Sequence, residues 1–207
     1  MSTTTLYRHA LSGHSHRVEL FLSILNIDAE LVDVDLLSGA HKQADFLAMN
    51  RFGQVPVLQD GDTLLSDSNG ILVYLATQYD QTGSWLPTDA AAAAEVQRFL
   101  SVAAGQVSSG PGAARLHKVF NADLDHARAL RIAHDVLAVL DDHLQDRDWL
   151  VGTRPTIADL ANYAYIAHAP EGDVDLSAYA NVRAWLRRIE SLPGFIGMQA
   201  TPAGLAA

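Results

Sequence analysis

The sequence predicts an α/β domain followed by an all-α domain. Three observations carry that expectation. Strand-like and helix-like patterns alternate over residues 1–80. Asp80-Gln81-Thr82-Gly83-Ser84 is a turn-rich stretch, and from Thr88 onward every patterned segment reads as helix. The expected division is a first domain over 1–80, a linker over 81–89 and a helical domain over 90–207. A chain of 207 residues, 49% of them hydrophobic, has ample material for a core and does not resemble a low-complexity tail.

Thr3 to Arg8 is rich in β-formers and reads as the first strand, with Tyr7 as a core residue. Arg17 to Leu25 places Val18, Phe21, Leu22 and Leu25 on one helical stripe. Leu31 to Asp35 reads as a second strand and Ala40 to Met49 as a short helix. Val55-Pro56-Val57-Leu58 is a short apolar strand with proline at its entrance. The turn Asp60-Gly61-Asp62 leads from it to Thr63-Leu64-Leu65 as a hairpin. Ser66-Asp67-Ser68-Asn69 then opens a helix whose apolar face runs through Ile71, Leu72 and Leu75. In the second half, Thr88-Asp89 caps an alanine-rich helix start, and Ser108 to Gly112 is expected to break or kink the long helix. Leu130, Ala133, Leu137, Leu140 and Leu144 share a helical stripe. Thr156 and Asp159 have the spacing of a capping box.

Composition excludes several functions. The net charge of −10 argues against binding nucleic acid or anionic membranes. No apolar run approaches the roughly 20 residues of a membrane helix, and no basic-then-apolar leader opens the chain, so a cytoplasmic location is the default. Cysteine is absent, which removes disulfides and any thiol nucleophile from the protein itself. If thiol chemistry occurs, the sulfur comes from a ligand. The nine histidines lack metal-ligand spacing, so no metal is expected. His14 and His16 read as exposed loop polarity, and His117, His126, His134 and His143 as surface or interhelical residues.

Asn50 to Tyr74 holds the densest set of signals. A helix start offers unpaired N–H groups and a positive dipole end, both suited to a carboxylate. An X-Pro bond at Val55-Pro56 can be cis at modest cost, which would expose the Val55 N–H and C=O. Such a site suits a small anionic peptide. This segment resembles the glutathione-binding half-site of the soluble glutathione transferases, N-x-x-G-x-V-P-x-L followed by acid-Ser. The later W-L-V-G-x-x-P-T-I-A-D from Trp149 is similar to that family's helical-domain box. The order β-α-β-α-β-β-α is that of its thioredoxin-like domain. Leu11 to Val18 resembles the S-x-x-S-x-R-V loop of the serine-type theta and zeta classes, so the chain is identified as a bacterial member of that kind.

The resemblance implies that the protein binds glutathione as co-substrate, stabilises its thiolate and promotes attack on a small electrophilic, hydrophobic substrate, as a cytoplasmic, homodimeric detoxification enzyme. It puts the thiolate-stabilising serine on Ser12, with Ser15, a backbone N–H or a histidine as alternatives; Ser15 has the further option of capping the first helix. Free thiol has a pKa of about 8.5, so a donated hydrogen bond is needed to favour the charged form at neutral pH. His41 and Lys42 fall where theta-like members contact the glycyl carboxylate, although a solvated surface pair is the alternative. Gln54, Val55 and Pro56 would contact the peptide. Asp67 would take the γ-glutamyl ammonium and Ser68 its carboxylate. His14, Arg115 and Phe120, with His117 and Lys118, are candidates for the second-substrate pocket. A glutathione-dependent isomerase or disulfide reductase, or a non-catalytic binding protein, remains open on the same scaffold.

Overall fold

The computed structural model describes residues 4–206, so Thr3, the expected start of the first strand, lies outside the described residues. The chain forms two compact units. One runs up to Gln81 and includes Pro193–Gln199; the other comprises Thr82–Leu192 and the residues from Ala200. The return of residues 193–199 to the first unit corrects the expectation that everything after 90 belongs to the helical half.

The first unit contains β1 (Thr4–Arg8), α1 (Gly13–Ile24), β2 (Ala29–Asp33), a 3-10 turn (Ala40–Lys42), α2 (Ala44–Met49), β3 (Val57–Asp60), β4 (Thr63–Ser66) and α3 (Ser68–Tyr79). Its sheet has the order β2-β1-β3-β4, with β1 parallel to β2 and the other pairs antiparallel. Leu6 lies opposite Leu31 and Leu58, and Leu58 opposite Leu65. Leu6, Val18, Phe21, Leu58, Ile71, Leu72 and Leu75 are fully buried. Each such side chain contributes about 1.5–3 kcal/mol relative to exposure.

Several boundaries differ from the sequence reading. Helix α1 begins at Gly13, four residues early, because the Ser12 hydroxyl accepts the Ser15 N–H at 3.2 Å and caps the helix. The cap is thus Ser12 and not Ser15. Strand β2 starts two residues earlier than expected, and the Ala40–Met49 helix is interrupted at Gln43. Strand β3 begins only at Val57, after a Val55–Pro56 bond that is cis.

Register fixes where the loops emerge. Tyr7 pairs with Val32 and Val57, and Val57 with Ser66. The carboxyl ends of β1, β2 and β4 and the amino end of β3 therefore share one end of the sheet. The loops bearing Ser12, His41, Gln54 to Pro56 and Asp67 all leave from that end.

The second unit holds α4 (Ala90–Val102), a π-helical segment (Ala103–Gly112), α5 (Ala113–Phe120), α6 (His126–His143), α7 (Ile157–Ala167) and α8 (Ala180–Glu190). Ser108 to Gly112 does not break the helix. The wider π winding carries the chain through Pro111, which lacks an N–H to donate, from α4 directly into α5. Gly110 is required there, since a Cβ would lie 2.8 Å from the Ala133 nitrogen of α6. On α6, Ala133, Leu137 and Leu140 of the expected stripe are buried. The capping box closes as expected: Asp159 Oδ2 accepts the Thr156 N–H at 2.8 Å. Asp159 Oδ1 also accepts from Leu150 N–H at 3.0 Å and Trp185 Nε1–H at 2.8 Å, tying three segments together. Among the described residues no helix is long and apolar enough to cross a membrane.

Candidate active site

Two helix starts meet at the loop-bearing end of the sheet. The first belongs to α1, capped by Ser12. Because Ser12 Oγ accepts a backbone N–H, its own O–H remains available to donate. The second belongs to α3, where Asp67 Oδ1 accepts the Gly70 N–H at 2.8 Å. Asp67 has φ 74° and ψ 116°, a strained backbone for a non-glycine residue that costs on the order of 1–3 kcal/mol. It turns the chain sharply so that Ser68 becomes the first residue of α3.

Side chains of α1 bind the two starts together. Arg17, buried to 1% exposure, donates from Nη1 to Ser68 Oγ at 3.2 Å and to Asn69 Oδ1 at 2.7 Å. His14 Nδ1 lies 3.3 Å from the same Ser68 oxygen. Burial, reinforced by the Arg17 charge, holds the His14 imidazole down to about 3, so it is neutral at ordinary pH. Two positive dipole ends and a guanidinium thus lie close together, a field that favours carboxylate and thiolate over their neutral acids.

Ser15 is buried and its Oγ accepts the His9 N–H at 3.3 Å, so it serves the loop's own backbone. The exposed-polarity reading of the two histidines is corrected. His16 is 3% exposed with Nε2 2.9 Å from the Ile196 oxygen, and His14 is turned inward to Ser68. That contact puts His14 with the acid-serine pair, whereas it was expected in the second-substrate pocket.

The loop before β3 is braced from within. Asn50 Nδ2 donates to Gln54 O at 2.8 Å, and its Oδ1 accepts the Phe52 N–H at 3.1 Å. Lys42 Nζ donates to the Phe52 and Gly53 carbonyls at 3.2 and 2.9 Å. Lys42 therefore clamps this loop with two of its three N–H donors. Gly53, at φ 56°, admits no side chain, because a Cβ would stand 2.7 Å from the His41 oxygen. His41 is half-buried with Nδ1 sealed from solvent. Gln54 is exposed, and Val55 packs beside the buried Val34, Phe46 and Val57.

In the second unit Arg115 is fully buried, with Nε 2.7 Å from Glu171 Oε2. It has no surface to offer a substrate, which corrects its expected role. Lys118 pairs with Asp173 at 2.9 Å, His117 Nδ1 lies 3.1 Å from Ala122 O, and Phe120 is half-buried at the end of α5. Sequence reasoning passed over Arg17 and Asn69. The available signal was a charged residue set on the apolar stripe of Val18 and Phe21, where burial demands partners. Among the described residues no group of three or more His, Asp or Glu side chains could hold a metal ion.

Known proteins resemble this chain in sequence and fold. The family description glutathione S-transferase, N-terminal domain, matches residues 2–77, and glutathione S-transferase, C-terminal domain, matches 120–193. Glutathione S-transferase 3 of Zea mays is 34% identical over 216 residues, covering 94% of this chain and 92% of its own. Glutathione S-transferase theta-2 of Homo sapiens is 31% identical over 198 residues, covering 91% and 81%. The crystal structure of a possible glutathione S-transferase from Rhodopseudomonas palustris superposes with a TM-score of 0.86 at 34% identity, covering 97% of this chain and all of that one. The chain belongs to the glutathione S-transferase family, enzymes whose co-substrate is glutathione.

Proposed function

We propose that this enzyme binds glutathione at the loop-bearing end of the first unit's sheet and that Ser12 stabilises its thiolate for attack on a small, hydrophobic electrophile. The observation that carries the reading is the meeting of the α1 and α3 N-termini around Ser12 and Ser68. The γ-glutamyl carboxylate binds Ser68 through its hydroxyl and N–H, and the γ-glutamyl ammonium binds the exposed Asp67 carboxylate. Val55 offers its backbone to the cysteinyl peptide, and Gln54 and His41 Nε2 face the glycyl end. Thiolate charge is then stabilised by the Ser12 O–H and by the α1 dipole. The sulfur attacks the electrophile's carbon and the displaced group leaves with its electron pair.

The serine-type label follows from Ser12, which is partly exposed, and Ser15 is set aside because it is fully buried. A cytoplasmic homodimer acting in detoxification completes the proposal. Phe52, 80% exposed at the tip of the braced loop, is an apolar ring that a second copy of the chain would cover. Sedimentation in solution tests the dimer: a monomer at micromolar concentration removes it.

Ser12→Ala is the decisive variant. It retains glutathione binding within a few-fold but loses the ultraviolet thiolate band at neutral pH, and conjugation of an aryl halide falls about 100-fold, the scale of one oxyanion-type donor. An unchanged thiolate band assigns activation to another group.

A further inference from the structure

Ser68 raises a question of proton counting. A hydroxyl has one proton to donate and two lone pairs that accept. Arg17 can only donate, and it occupies one lone pair at 3.2 Å. His14 Nδ1, 3.3 Å away, decides the rest. If Nδ1 is bare, the hydroxyl proton points at it and Ser68 presents a lone pair to the ligand. If Nδ1 carries the proton, both lone pairs are filled and the Ser68 proton is free to point outward. A ligand carboxylate accepts hydrogen bonds and repels lone pairs, so only the second state serves it.

We propose that His14 is a positioning residue, holding its proton on Nδ1 in the glutathione complex and so turning the Ser68 hydroxyl toward the γ-glutamyl carboxylate. The inference rests on the reading that Ser68 receives that carboxylate. Two further observations support it. Gly13 and His14 open α1 directly after the Ser12 cap, so the contact joins the thiolate end of the site to the carboxylate end. The imidazole is held neutral by burial and by Arg17, which is the condition for choosing between tautomers. The contribution is to specificity: it favours a peptide bearing a carboxylate at this point over one without it.

The test uses the full-length protein, labelled with nitrogen-15 histidine, and two ligands. One is glutathione. The other is 4-aminobutyryl-cysteinyl-glycine, in which hydrogen replaces the γ-glutamyl carboxylate. In the wild-type complex with glutathione, the His14 ring shows a protonated Nδ1 and a bare Nε2. His14→Ala loses about tenfold in glutathione affinity and changes little toward the analogue, the scale of one hydrogen bond to a charged group. His14→Asn, whose amide nitrogen can stand near the Nδ1 position, recovers most of the loss and guards against a merely misfolded alanine variant. A bare Nδ1 in the complex, or equal losses for the two ligands, overturns the proposal while leaving the glutathione site standing. Failure of the wild type to bind glutathione at millimolar concentration overturns that site and this inference together.

Discussion

Each unit buries one arginine almost completely, and the two are set in opposite chemistry. Arg115 meets a carboxylate: Glu171 receives its Nε–H at 2.7 Å, the Thr201 N–H and hydroxyl at 3.0 and 2.8 Å, and the His168 ring at 2.7 Å. Burial pushes the Glu171 carboxyl up, yet these donors and the Arg115 charge together hold it below its ordinary value. Gly172 lies so near that a Cβ would stand 2.5 Å from the Arg115 nitrogen, locking the following turn onto α5. Arg17, by contrast, donates to a hydroxyl and an amide oxygen at the start of a helix. An arginine neutralised by a carboxylate works as a fastener. One that shares neutral oxygens with a helix N-terminus adds to a field for anions. A buried cation thus takes its role from the charge of its partner.

Substitution of each arginine separates the two roles, and the largest effect belongs to the fastener. Arg115→Met leaves Glu171 buried without its cation and is expected to cost about 3–5 kcal/mol of stability, read by urea unfolding. Glutathione affinity of the folded variant stays the same; a fall in affinity without loss of stability would erase the contrast. Arg17→Met is expected to weaken glutathione binding by about 1.5–3 kcal/mol, tenfold or more by calorimetry, because Ser68 and Asn69 lose a charged donor. Unaltered binding would make Arg17 a second fastener.

The smallest effect comes from the opposite end of the first sheet, where Asp60 accepts from Thr4, Tyr74 and Tyr79 hydroxyls. Tyr79→Phe is expected to cost about 1 kcal/mol, since two donors remain. Its pH dependence has a definite sign. Burial opposes the Asp60 charge, but the three hydroxyls outweigh it and depress the carboxyl, so its contribution is present above about pH 4 and is lost as pH falls through the lowered value. Tyr79 is raised to about 12, first by its bond to Asp60 and then by burial. That contribution is complete below about pH 10 and disappears as pH rises through about 12. The difference between wild type and variant should therefore be flat between these limits and shrink beyond both. A constant difference at every pH would assign the effect to packing.

Local signals made much of the fold legible. The strand and helix order, the capping box of Thr156 and Asp159, and the helix start at Asp67-Ser68 all depend on groups a few residues apart, which is the range that spacing encodes. The residues misread are those whose partners lie far along the chain. Arg115 looks available until Glu171, 56 residues on, is brought to it. His16 looks exposed until Ile196, 180 residues on, covers it. The clamp made by Lys42 escapes a sequence reading because its acceptors are backbone carbonyls, which leave no mark in a side-chain pattern. The π-helical passage was hidden for another reason: Gly and Pro signal a break, and the packing of Gly110 on Ala133 prevents one.

Residues 193–199 carry a consequence for how the protein is made. Gly194, at φ 79°, fits against Ser23 and Ile24, where a Cβ would stand 2.8 Å from the Ser23 oxygen, and Ile196 supplies the oxygen facing His16. A ribosome that has released residues 1–81 has therefore delivered a sheet and its helices with α1 still missing part of its cover. Vectorial synthesis builds most domains from the amino end as closed units. Here the first domain to emerge stays unfinished until residues 193–199 follow the helical segments, and a fragment ending at Gln81 would expose Ser23, Ile24 and His16 to solvent and to other nascent chains.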